Sequence, residues 1–148
     1  MMKNNRRLLT FLLAAGAILY TWLQQSATIQ TTSGASGNSQ QLLLSAIEAK
    51  RSDVQLSGEG IVVKVLPDDT RGSKHQRFLL EVAPGKTVLI AHNIDLAPRI
   101  PGLREGDTVH FYGEFEWNDK GGVVHWTHHD PRGRHPDGWL KHRGKSYQ

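Results

Sequence analysis

The sequence predicts a mainly β fold: a small five-stranded OB-like closed barrel with one short N-terminal helix, preceded by a hydrophobic targeting or anchor helix. Three observations predict it. Hydrophobicity alternates with a period of two through much of residues 54–128. Turn signals rich in Gly, Pro, Asn and Asp divide that stretch into five short runs. The first run is long and carries two central glycines, which suits a strand that bends to serve both sides of a closed sheet.

The chain opens with the cationic stretch MMKNNRR and continues uncharged from Leu8 to Leu23. That order is the one a secretory signal uses, with its charged end left in the cytoplasm. The apolar run of 16 residues falls between a signal core and the roughly 20 residues that span a bilayer. Ser26-Ala27 is the best cleavage position but has Gln25 where a small residue is preferred, so residues 1–25 read as a signal peptide or as an N-terminal membrane anchor. Tyr20 and Trp22 suit a membrane interface. Either way the domain is expected outside the cytoplasm: periplasmic and anchored in the inner membrane, or secreted. Residues 26–40 carry no charge and are rich in Gln, Ser, Thr and Gly, the composition of a flexible linker.

The folded domain is expected over residues 41–148. Residues 40–52 predict one helix, with Ser39 as N-cap and Leu43, Ala46 and Ile47 toward the core. Residues 54–67 then predict a strand bent around Gly58 and Gly60 and ended by Pro67. Residues 78–82 and 87–92 predict a hairpin across Ala83-Pro84-Gly85-Lys86. Residues 108–117 alternate Val109, Phe111, Gly113, Phe115 and Trp117 against His110, Tyr112, Glu114 and Glu116. Residues 123–128 supply the fifth strand and add His125 and Thr127 to that outward face. The remaining residues form a basic, His-rich C-terminal tail, in which Trp139, Leu140 and Tyr147 are expected to pack on the barrel while Lys141, Arg143 and Lys145 stay in solvent.

The pI near 9.6 suggests nucleic acid until the charges are located. Lys3, Arg6 and Arg7 belong to the targeting segment, and without them 15 positive charges face 14 negative ones. Residues 128–148 hold Arg132, Arg134, Lys141, Arg143 and Lys145 against Asp130 and Asp137, so the excess sits in the tail. Two glutamates on the outward face disfavour a polyanion, and nucleic acid is an open but unfavoured partner. The chain has no cysteine, which excludes a disulfide framework, a Cys-ligated zinc site and a thiol nucleophile.

Chemistry is most dense in two loops. The loop 92–99 offers His92, Asn93, Asp95 and Arg99. The loop 127–136 offers His128, His129, Asp130, Arg132, Arg134 and His135, with His125 just before it. His125, His128, His129, Asp130 and His135 are candidate ligands for a divalent metal such as zinc, since imidazole with carboxylate is a common metal-binding set. His92, Asn93, Asp95, Arg99, Arg132 and Arg134 are candidate contacts for a small or polymeric anionic ligand. Spacing sets a condition on that set: His125 and His128 point to opposite faces of a regular strand, so they converge only if the strand twists or ends at Thr127. The expected function is an exported binding module; the alternative is a metal-dependent phosphoester hydrolase or nuclease with His as base and Arg132 or Arg134 facing the phosphate.

The segments AHNIDLAP (91–98), GDTVHFYGEFEWNDKGGVVHWTHHDP (106–131) and GRHPDGWLKHRGKSYQ (133–148) resemble an uncharacterised family of short bacterial exported proteins. The HNIDL and HWTHHDP segments carry the resemblance, which covers about residues 54–148. It implies an OB-like fold and an exported address, and no activity.

Overall fold

The computed structural model describes residues 37–148; the segment expected to be a signal peptide or membrane anchor, and most of the expected linker, lie outside the described residues. The helix α1 covers residues 37–48, with Leu43 and Ala46 fully buried and Ile47 half-buried on one face. It begins and ends earlier than the predicted 40–52. Ser39 lies inside it rather than capping it, and residues 37–40, assigned to the linker by composition, are helical. The helix closes without glycine. Lys50 adopts φ 52°, its N–H donates to Ile47 O at 3.2 Å, and Arg51 N–H donates to Ala46 O at 2.9 Å. This paired closure satisfies the last carbonyls of the helix. A lysine in the left-handed position is no stop signal in a sequence, so the predicted helix runs on too far.

Seven strands follow: β1 (Val54–Asp69), β2 (His75–Ala83), β3 (Lys86–Asn93), β4 (Thr108–Glu116), β5 (Val123–His125), β6 (Trp139–His142) and β7 (Lys145–Tyr147). β1 pairs antiparallel with β4 from Val54 to Ile61 and with β2 from Ile61 to Asp69. β2 pairs with β3, β3 runs parallel to β5 at Leu89 and Ile90, and β5 pairs with β4. The five strands β1-β2-β3-β5-β4 therefore form a hydrogen-bonded ring that β1 closes. The double duty of β1 depends on close approach at its bend. A Cβ on Gly60 would meet Glu81 O at 2.6 Å, and one on Gly58 would meet the Phe111 ring at 2.7 Å.

Inside the ring, Leu56, Val62, Phe78, Leu80, Val88, Ile90, Val109, Phe111, Phe115 and Val124 make a core with almost no exposure. Their alternation with outward residues is the period-two pattern of the sequence. The C-terminal tail extends this core. β6 pairs with β4 at Phe111↔Leu140 and Tyr112↔Trp139, and β7 pairs back on β6. Leu140 and Tyr147 are buried and Lys141 and Lys145 exposed. Arg143 is exposed as well, yet it donates to Asp107 Oδ1 at 2.9 Å, while His142 Nε2 lies 3.0 Å from Oδ2 of the same carboxylate. The hairpin is thereby pinned to the turn before β4.

β5 also departs from its prediction. It stops at His125, because Trp126 takes φ 52° and turns the chain out of the ladder. Thr127, predicted on the outward face, is fully buried.

One helix side chain enters the sheet. Gln40 Nε2 donates to Glu59 O at 3.1 Å and to Val82 O at 2.6 Å, and Gln40 Oε1 accepts from Glu59 N at 3.1 Å. The carboxamide thus bonds both β1 and β2 beside the bend. Replacing Gln40 by Ala leaves three partly buried backbone groups without that partner and is expected to lower unfolding free energy by about 1–3 kcal/mol. Urea denaturation of the two chains checks this, and equal midpoints would show that α1 does not hold the strands.

Candidate functional site

Because Phe111, Gly113 and Phe115 of β4 face the core, Tyr112, Glu114 and Glu116 face outward. Directly opposite residues on paired strands point to the same face. Gln55 on β1 stands opposite Glu114 on one side, and His125 on β5 stands opposite it on the other. The outer sheet thus carries the row Gln55, Glu114, His125, with Glu116 one step along β4. One ligand atom from each of Glu114, Glu116 and His125 lies within 4.8 Å of the others. Among the described residues these are the only three His, Cys, Asp or Glu side chains so gathered.

His125 Nε2 lies 3.4 Å from Glu114 Oε1, yet it is buried and makes no hydrogen bond. The ion-pair distance is met while hydrogen-bond geometry is not, so Nε2 is left without a hydrogen bond. Burial pushes the His125 pKa below its ordinary value, against the opposing pull of Glu114 and Glu116. At neutral pH the ring is therefore neutral, the form that binds metal. His135 reaches the same carboxylate from the following loop, with Nδ1 3.6 Å from Glu114 Oε2.

The loop after β5 is shaped to deliver His135. Asp130 accepts from the backbone N–H groups of Arg132 at 3.0 Å, Arg134 at 2.6 Å and His135 at 3.0 Å. Those bonds, Arg132 first, hold its carboxyl down at about 2. The His135 ring then stacks on Trp126 with centroids 3.8 Å apart and planes 16° from parallel. Gly138 lets the returning chain pass, since a Cβ there would meet the carbonyl oxygens of Trp126 and Tyr112.

The site candidates chosen from the sequence divide accordingly. His125 and His135 converge on Glu114. His128 is almost fully buried and donates from Nδ1 to His129 O at 2.7 Å. His129 pairs at the surface with Asp137, with Nδ1 3.0 Å from Oδ2. Asp130 clamps its own loop. The anionic-ligand candidates are likewise spoken for or outlying. Asn93 Oδ1 accepts from Asp95 N, Asp95 Oδ2 accepts from Lys74 N, and Arg99 pairs with Asp68 at 3.1 Å. Arg132 and Arg134 are exposed.

His92 is the joint between the two loops. It is fully buried; Nε2 donates to Pro98 O at 3.1 Å, which leaves Nδ1 to accept from the Thr127 hydroxyl at 2.9 Å. Both ring nitrogens are used, so His92 has no lone pair for a metal. The loops do meet, and between them lies a cleft of about 240 Å³ lined by His75, Asn93, Leu96, His125, Trp126 and His128. Glu114 and Glu116 are the site residues that a search for His-rich loops misses. Their signal was their place on the outward face beside His125.

A family model described as Protein of unknown function (DUF3465) matches residues 24–148. No curated protein matches the chain.

Burial pushes the His92 pKa down from 6.5 to about 4, so unfolded chains take up this proton before folded ones do. Its contribution to stability is complete above pH 6.5 and is lost as pH falls from there through 4, by about 3 kcal/mol. Denaturant titrations at pH 7, 5.5 and 4 are expected to show that loss in the wild type and a flatter dependence in His92→Gln. Parallel slopes in the two chains would contradict this role.

Proposed function

We propose that this chain, which belongs to the DUF3465 family of proteins of unknown function, is an exported OB-like module that binds a divalent transition metal such as zinc at Glu114, Glu116 and His125. The reading rests on one observation: the buried, unbonded His125 Nε2 set among two carboxylates within 4.8 Å. An imidazole nitrogen shielded from solvent and left without a hydrogen bond is costly unless something fills its place. Two glutamates supply the negative charge that balances a dication, and an imidazole with carboxylates suits zinc, manganese, iron or nickel. The same charge disfavours the anionic ligand expected from the loops, so a cation is the better occupant.

The ring order and the bent, doubly paired β1 support the OB-like reading. The cationic and apolar N-terminus supports export, and the family match begins directly after that apolar run. A site on the outer face of a periplasmic domain would meet metal ions supplied from outside the cell.

Titration calorimetry with zinc at pH 7 is expected to give one ion per chain. Glu114→Gln and His125→Ala are expected to weaken binding by about tenfold or more, the scale on which metal sites lose affinity when disturbed. His128→Ala and His129→Ala should leave it unchanged. Binding lost in the latter pair but kept in the former would move the site to the loop and overturn the reading.

A further inference from the structure

Three buried side-chain atoms among the described residues make no hydrogen bond: His125 Nε2, Gln55 Nε2 and Gln55 Oε1. They belong to the two residues that flank Glu114 across its neighbouring strands, Gln55 on β1 and His125 on β5. Glu114 is thus bordered on both sides by buried polar groups with nothing to bond. Other carboxamides packed on the sheet are satisfied: the buried Gln76 donates to Ile100 O at 3.0 Å and accepts from Ile100 N at 2.8 Å, and the half-buried Gln40 bonds two strands. The half-buried Gln55, whose amide atoms are themselves shielded from solvent, is therefore an exception among these carboxamides of the described residues.

The metal reading explains His125 but leaves Gln55 unused. A site of three protein donors keeps at least one position open, which water fills. Such a water needs protein partners to be ordered, and a carboxamide offers a donor and an acceptor. Residues that hold ligands in this way without touching the ion tune metal affinity. We infer that Gln55 is a positioning residue that holds, beside Glu114, the exchangeable water completing the coordination of the proposed ion. This rests on the metal reading and deepens it: the site is of the open kind, in which a small oxygen-donor ligand displaces water.

The alternative is that Gln55 merely packs its methylenes and carries an amide the fold does not use. The two are separable, because replacing an unsatisfied buried polar group by an apolar one of similar shape stabilises a chain that has no use for it. In the full-length protein, Gln55→Leu is expected to raise the melting temperature without metal yet to weaken zinc binding by about 10–100-fold. It is also expected to change the visible absorption of the cobalt-loaded chain, whose intensity reports coordination number. Gln40→Ala, destabilising at a site remote from the donors, should leave cobalt absorption and zinc affinity unchanged. Should Gln55→Leu fail to fold, Gln55→Glu, of the same size but lacking the donor, must still alter the cobalt spectrum. Unchanged zinc affinity and cobalt absorption in these Gln55 variants would overturn the inference alone. A wild-type chain that takes up neither zinc nor cobalt would overturn the metal reading itself.

Discussion

A single strand that must pair on both sides governs the rest of this molecule. β1 serves β4 with its first half and β2 with its second, and the change of partner occurs at Ile61, beside Gly60. A Cβ at Gly60 would meet Glu81 O at 2.6 Å, so the backbone of β2 would have to shift away from its present approach. Closing there also fixes the neighbours of β4: β1 along one edge, with β5 and β6 sharing the other. From that arrangement follow the inward set Val109, Phe111 and Phe115 and the outward set Tyr112, Glu114 and Glu116.

The outward row owes its character to what surrounds it. A glutamate on a sheet surface is ordinarily solvated and needs no explanation. Here the loop after β5, tied by Asp130 and stacked through His135 on Trp126, folds back over the end of the sheet and takes His125 partly out of water. Trp126 holds a left-handed backbone conformation, rare for a bulky residue, and such strain survives only where packing enforces it. Stacking on His135 and the passage of Gly138 beside the Trp126 carbonyl supply that enforcement. Strained backbone, a half-buried imidazole with its Nε2 shielded, and an unbonded carboxamide gather around one carboxylate. This concentration of local costs is what the proposed ion would offset.

Much of the fold was legible because period-two alternation is a direct imprint of a core lying on one side of a strand. Phe78, Val88, Phe111 and Val124 are buried as their alternation requires. The misses have physical causes. β6 and β7 hold four and three residues, too few for alternation to emerge. The end of α1 at Lys50 and the end of β5 at Trp126 are left-handed positions occupied by residues that do not advertise them. The site was legible in part. His125 and His135 stood out as histidines, but Glu114 gains its meaning from register, the alignment of three strands distant in sequence, which composition does not encode. His92 looked like a ligand and is a structural joint, since the Pro98 carbonyl and the Thr127 hydroxyl that occupy its nitrogens come from loop folding.

The central claim is that an ion sits between Glu114, Glu116 and His125. Anomalous diffraction at the zinc edge from crystals grown with one equivalent of zinc tests it most directly. One strong peak is expected about 2.0–2.2 Å from His125 Nε2 and from an oxygen of each glutamate. A strong peak at His128, His129 or His135 instead, with none between Glu114 and His125, would contradict it.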